Sequence, residues 1–165
     1  MLLRLVVALA LGAVLGVERE LVGKEAGVRT DMLVAGGAAI FAMIGLTLPY
    51  ITSAALGTVP DATTVNAGLA VIANIVVGIG FLGAGLIIKM NDHPHGVTTA
   101  ALVWATAAIG ILAGIGMLYF AAAAALLITL LLYVLRKLNI AERLEKDGRG
   151  DALTGTTKKI ALLKK

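Results

Sequence analysis

The sequence predicts an all-α protein: a polytopic bundle of about five membrane-spanning helices, N-terminus outside and C-terminus inside. Three observations carry this reading. First, of 165 residues 59% are hydrophobic and 15% charged, and mean hydropathy is +0.98. A soluble domain carries nearer a quarter charged residues to cover its surface, so the solvent here is the bilayer. Second, the apolar residues collect in five runs, 2–17, 32–48, 65–88, 97–113 and 117–135. Third, the basic residues are one-sided. With the N-terminus outside, Arg19, Lys24, Arg29, Lys89, Arg136 and eight tail residues lie inside, against Arg4 alone outside. That is the asymmetry the positive-inside rule requires.

A helix rises about 1.5 Å per residue, so roughly 20 residues cross a core about 30 Å thick. The first run resembles a signal peptide in composition, with Arg4 ahead of the apolar stretch. Further apolar segments follow it, however, and it is read as a retained first span. The second run precedes an outer loop, 49–64, with two prolines, one glycine, no base and a single acid, Asp61. The third run is ample for a span. The fourth and fifth are together too long for one helix, and Gly114-Ile115-Gly116 offers the backbone freedom for a reversal between them. Residues 1–136 then form the transmembrane domain and 137–165 a short basic cytosolic tail, whose TKKIALLKK end is amphipathic and suited to an anionic inner leaflet.

Composition also excludes functions. No cysteine is present, so there is no disulfide, iron–sulfur cluster or thiol nucleophile. The basic residues follow the last span, away from any aromatic platform, which argues against nucleic acid. No Ser/His/Asp arrangement or catalytic pair is evident, so neither an enzyme nor a cofactor is expected. Asp92, His93 and His95 in NDHPHG have the ligand types of a metal site, but a proline between histidines on a short loop makes chance the better account.

Two constellations remain. GVERELVGKEAGVRTDM, residues 16–32, sets four acids and three bases between two apolar runs. Thr30 or Asp31 suits an N-cap of the second helix, and Arg19 complements the negative end of the first. An ion pair between Glu18 and Arg29 would stitch the two helices. Topology needs no acids, however, so a cation- or partner-binding surface stands beside that structural account. The second constellation is NIVVGIGFLGAGLII, residues 74–88, with Gly78, Gly80, Gly83 and Gly85. Small residues let backbones approach in lipid, as do the GxxxG pairs Gly12/Gly16 and Gly110/Gly114. The alternative is a locally broken helix lining a cavity. Asn74 suits an interhelical hydrogen bond, Thr98 and Thr99 suit caps, and Thr106 suits a bond to its own helix.

LGAVLGVERE, AGVRT, GIGFLGAGLI and GVTTAALVWATAAIGILAG, in that order across most of residues 1–115, resemble the MgtC/SapB family of bacterial membrane proteins. The resemblance implies an integral cytoplasmic-membrane domain of about five spans. By that resemblance Glu18 and Arg19 match the acid–base pair after the first helix. Gly27, Arg29 and Thr30 match the approach to the second, and Gly80, Phe81, Gly83, Ala84 and Gly85 the third-helix motif. Thr98, Thr99, Ala100, Ala101 and Trp104 match the fourth. Where the family commonly has His, this chain has Asp31. The short tail also departs from members that carry a folded cytosolic domain.

The resemblance further implies a role in growth at low magnesium and in virulence, with restraint of the F-type ATP synthase. A regulator acting through contacts with itself or another membrane complex is the first expectation, and the partners expected are the bilayer, a second copy in a homo-oligomer and that synthase. The second is a transporter or channel for magnesium or another cation. Mg²⁺ demands oxygen ligands, and no acid lies inside any apolar run, which favours the regulator.

Overall fold

A computed structural model describes residues 1–90 and 93–138 of the chain. It is helical apart from one short hairpin, with five helices: α1 (Leu2–Leu21), α2 (Val28–Ala55), α3 (Ala62–Leu86), α4 (Val97–Ile115) and α5 (Leu118–Leu138). The last four are long and apolar enough to cross a membrane. Helix α1 is 20 residues long and carries charge at both ends, with Arg4 near its start and Glu18, Arg19 and Glu20 near its end.

Helix α2 overruns its apolar core at both ends. The expected break at Pro49 does not occur, and α2 runs through it to Ala55. The proline ring removes the N–H that would bond the Gly45 carbonyl. That carbonyl faces Gly68 of α3, where an added Cβ would collide with it, and Pro49 itself is buried against the same glycine. A neighbouring helix thus closes over the defect, as lipid-embedded proline helices require. Nearby, the Thr47 hydroxyl donates to the Met43 carbonyl at 2.7 Å and that of Thr52 to the Leu48 carbonyl at 2.9 Å.

Helix α3 starts on a capping box. The Asp61 carboxylate accepts from the Thr64 N–H at 2.8 Å, and the Thr64 hydroxyl accepts from the Asp61 N–H at 3.0 Å. The helix then continues without interruption, so the glycine stretch 78–85 is not a broken segment. Between α3 and α4 the chain forms a small antiparallel hairpin, β1 (Ile88–Met90) and β2 (His93–His95), pairing Ile88 with His95 and Met90 with His93. The hairpin stands where the sequence predicts a short loop; Asp92 lies outside the described residues. Gly96, at φ 81°, turns the chain into α4 in a conformation that disfavours a side chain.

The reversal at residues 114–116 forms as expected. Gly116, at φ 102°, ends α4; its N–H bonds the Ala113 carbonyl, and the Met117 N–H bonds that of Leu112. The Arg4 guanidinium reaches across from α1 and donates to the Gly114 carbonyl at 3.1 Å, a cation on the negative end of α4.

The chain divides into two compact units, 1–129 and 130–165. Of the second, only the end of α5 falls among the described residues. In the first, α2 is central and packs on α1, α3 and α4, while α4 also touches α1 and α3. The α5 residues Ala121 and Ala125 are buried. Helix α1 runs antiparallel to α2. A Cβ on Gly16 would meet Val28, and one on Gly12 would meet the Asp31 carbonyl and Met32. Helices α2 and α4 run parallel, in a register that sets Gly110 against Ala35 and Gly114 against Ala39, again at backbone contact. Lipid supplies no hydrophobic push between helices, so such close approach is what holds them.

The packing role expected of Gly12, Gly16, Gly110 and Gly114 therefore matches the geometry. For the third-helix glycines it does not. Gly78, Gly80 and Gly85 would find nothing within 4 Å of an added Cβ, and Gly83 meets only Ala100 at 3.7 Å, an ordinary contact. Along α3 only Gly68 and Gly83 are buried. The close approach to α2 is made near its start, by Gly68, because that end faces Gly45 and Pro49.

Candidate functional site

Where α1, α2 and α4 meet, the register brings together polar side chains that the sequence scatters from position 18 to position 106. Glu18 and Arg19 come from the last turn of α1, Asp31 from the first turn of α2, and Thr99 and Thr106 from one face of α4. All five are buried, Asp31 and Thr106 completely. Glycines make the space: at Gly12 and Gly16 the backbones of α1 and α2 touch, and four residues beyond Thr106 Gly110 lets α4 lie directly on α2.

The Asp31 level is deep in the helix frame. It sits beside Gly12, about midway along α1, and faces Thr106, about midway along α4. Asp31 precedes the apolar run, as the sequence has it, yet reaches this depth because α2 begins at Val28, opposite Gly16 and short of the end of α1. The N-cap of α2 is Gly27, so neither Thr30 nor Asp31 caps it. The acceptor at that end is the Glu20 carboxylate, which takes the Val28 N–H at 3.0 Å. Nor does Glu18 pair with Arg29. Glu18 binds its neighbour Arg19 at 2.5 Å, and Arg29 is exposed.

The carboxylate of Asp31 faces the Arg19 guanidinium and the Thr106 hydroxyl, yet no hydrogen bond closes on either oxygen. Among the described residues, four buried side-chain atoms are left without a partner: both carboxylate oxygens of Asp31, Oε1 of Glu18 and Oγ1 of Thr106. All four belong to this one cluster. Buried polar atoms are normally satisfied, and a charge in low dielectric costs several kcal/mol unless compensated. At the cluster's inner mouth the Thr99 hydroxyl donates to Glu25 Oε2 at 3.3 Å. The Glu25 carboxyl lies below its usual range, first through a hydrogen bond from its own backbone N–H and then through Thr99, Lys24 and His95.

The remaining candidates lie elsewhere. Thr98 is exposed and caps nothing, since Gly96 is the N-cap of α4 and no side chain bonds there. Thr30 is half-buried and Asn74 exposed; both line an open, largely apolar groove of about 720 Å³ between α2 and α3, together with Phe41 and Gly78. Among the described residues Asn74 forms no interhelical hydrogen bond, and none form a group of three or more His, Asp or Glu able to hold a metal. Sequence reasoning missed the roles of Glu20, Glu25 and Thr106. A signal did exist: Thr106, Gly110 and Gly114 repeat the four-residue spacing of Asp31, Ala35 and Ala39, which are the residues they face.

Residues 5–140 match the family model described as the MgtC family. The chain is similar to Protein MgtC of Salmonella typhimurium, 40% identical over 127 residues that make up 77% of this chain and 48% of that protein. It is also similar to Protein SrpB of Synechococcus elongatus, 38% identical over 122 residues, 69% of this chain and 63% of that one. A Haemophilus influenzae protein of uncharacterized function is 38% identical over 126 residues, 76% of this chain and 51% of its own. The chain thus spans about half the length of most of these curated relatives. No solved structure matches it.

Proposed function

Since the chain belongs to the MgtC family, we propose that it is a membrane-embedded regulator, acting through helix contacts with a second copy or with another membrane complex. The observation that favours this over transport is the closure of its polar core. Beyond Asp31 the α2–α4 seam is sealed by backbone contact at Gly110/Ala35 and Gly114/Ala39. The helices there present alanine and glycine, and a hydrated Mg²⁺ needs oxygen ligands and room for its waters. Meanwhile α3 offers an open apolar face, with Phe81 86% exposed, beside the groove lined by Thr30 and Asn74. Such a face suits another transmembrane helix.

Following the family resemblance, the setting is the bacterial cytoplasmic membrane during low-magnesium adaptation and virulence, and the F-type ATP synthase is the first partner to examine. Photo-crosslinking from Phe81 and Leu82 in native membranes is expected to capture a second copy or a subunit of that complex. Adducts with lipid alone would overturn the reading.

Cation transport is the second reading, favoured by the unpartnered oxygens of Asp31. Sealed vesicles carrying the purified protein and an internal Mg²⁺ indicator separate the two. No protein-dependent flux is expected. Flux abolished by Glu18→Gln or Asp31→Asn would establish transport instead.

A further inference from the structure

We propose that Asp31 is a proton-binding site: in the closed seam its carboxyl group carries a proton and donates it in a hydrogen bond to the Thr106 hydroxyl oxygen.

The case begins with a charge count. The titratable groups facing this seam from α1 are Glu18 and Arg19; α4 contributes only the neutral Thr99 and Thr106, and α3 has no ionisable residue along its length. Glu25, beside Lys24 and His95, stands at the mouth on Thr99. Arg19 is already engaged by Glu18. With both acids ionised, two buried carboxylates share one guanidinium, and a negative charge is left in a medium that solvates it poorly.

The unpartnered atoms identify what is missing. Among the described residues, Asp31 Oδ1 and Oδ2 and the Thr106 hydroxyl face one another buried and without a hydrogen-bond partner, and the carboxylate has no free cation beside it. One proton on Asp31 neutralises the excess charge and gives the facing hydroxyl a donor. A divalent cation fits less well. Backbone contact between Gly12 and Asp31 closes the seam at this level, Arg19 repels a second cation, and hydrated Mg²⁺ demands octahedral space. In the loading step hydronium at the inner mouth transfers a proton to the carboxylate and leaves as water, so no co-reactant is needed. Thr99 and Thr106, seven residues apart on one face of α4, mark the way in. Release of the proton forces Arg19 to serve two acids and loosens the α1–α2–α4 seam, which makes the core responsive to pH. The proposal holds for a regulator and for a transporter alike.

Infrared spectroscopy of the purified full chain in lipid provides the test. At neutral pH the wild type is expected to show a protonated-carboxyl C=O band that shifts in D₂O and disappears reversibly on alkalinisation. Asp31→Asn, a neutral mimic, should lack the band, keep the wild-type fold and lose the fall in thermal stability that accompanies alkaline loss of the band. Thr106→Val should move the band to higher frequency, because the hydrogen bond is gone. Absence of the band from the wild type would overturn the proposal. So would its removal by added Mg²⁺ at constant pH, which would assign the site to a metal. If Asp31→Asn does not fold, the wild-type titration and the Thr106→Val shift decide the matter alone.

Discussion

At the residue scale, the glycines divide by what lies opposite them. A Cβ on Gly110 would overlap the Ala35 carbonyl, whereas one on Gly78 would meet nothing. Overpacking a tight contact costs roughly 1–3 kcal/mol. Gly110→Val is therefore expected to lower thermal stability in detergent by about that amount, while Gly78→Val keeps the wild-type melting temperature. Equal loss in both would refute the assigned register. Gly83 makes no such tight contact, because an added Cβ there stands at ordinary distance from Ala100. Glu18 and Arg19 were legible in sequence as a pair worth notice, but their partner was not. That Asp31 shares their pocket depends on which face of α2 turns inward, and α2 is too uniformly apolar for its sequence to say.

At the scale of elements, the ends of the helices carry the information. Helix α3 begins on the Asp61–Thr64 box, and the Thr64 N–H, followed by its hydroxyl, holds the Asp61 carboxyl below its usual 3.8. A depressed carboxylate stabilises the fold fully above that usual value and ceases to do so as pH falls through the folded one. Asp61→Ala is expected to lower the melting temperature at neutral pH, with the difference from wild type shrinking in strong acid; a constant difference would show that the cap does not act through its charge. Helix α2 shows where local rules mislead. Pro49 reads as a terminator in sequence, yet the helix crosses it because Gly68 of another helix covers the exposed backbone. No inspection of residues 45–55 alone supplies Gly68.

At the scale of the whole molecule, a 28-residue α2 carries the chain from the loop at 22–27 to that at 56–61 in one passage. Single cysteines in place of Lys24 and Thr58 are therefore expected to react with membrane-impermeant reagents from opposite sides of intact cells. Labelling of both from one side would dismantle the topology. The charge asymmetry that sets its direction needs no tertiary structure, since insertion responds to flanking lysines and arginines as the chain emerges. The tail from 139 onward lies outside the described residues.

Composition and the spacing of apolar runs alone determined that the chain lives in lipid, that it is helical, and how many helices it has. Each of those follows from transfer free energy and from backbone hydrogen bonding within a single segment. The tertiary structure decided what the helices enclose. It set Asp31 opposite Thr106, turned the third-helix glycines outward, and replaced the stitch from Glu18 to Arg29 with a buried neighbour pair. The reason is physical: in a nearly uniform apolar helix every face is equally soluble in lipid, so only backbone-to-backbone fit with its neighbours selects the face that turns inward.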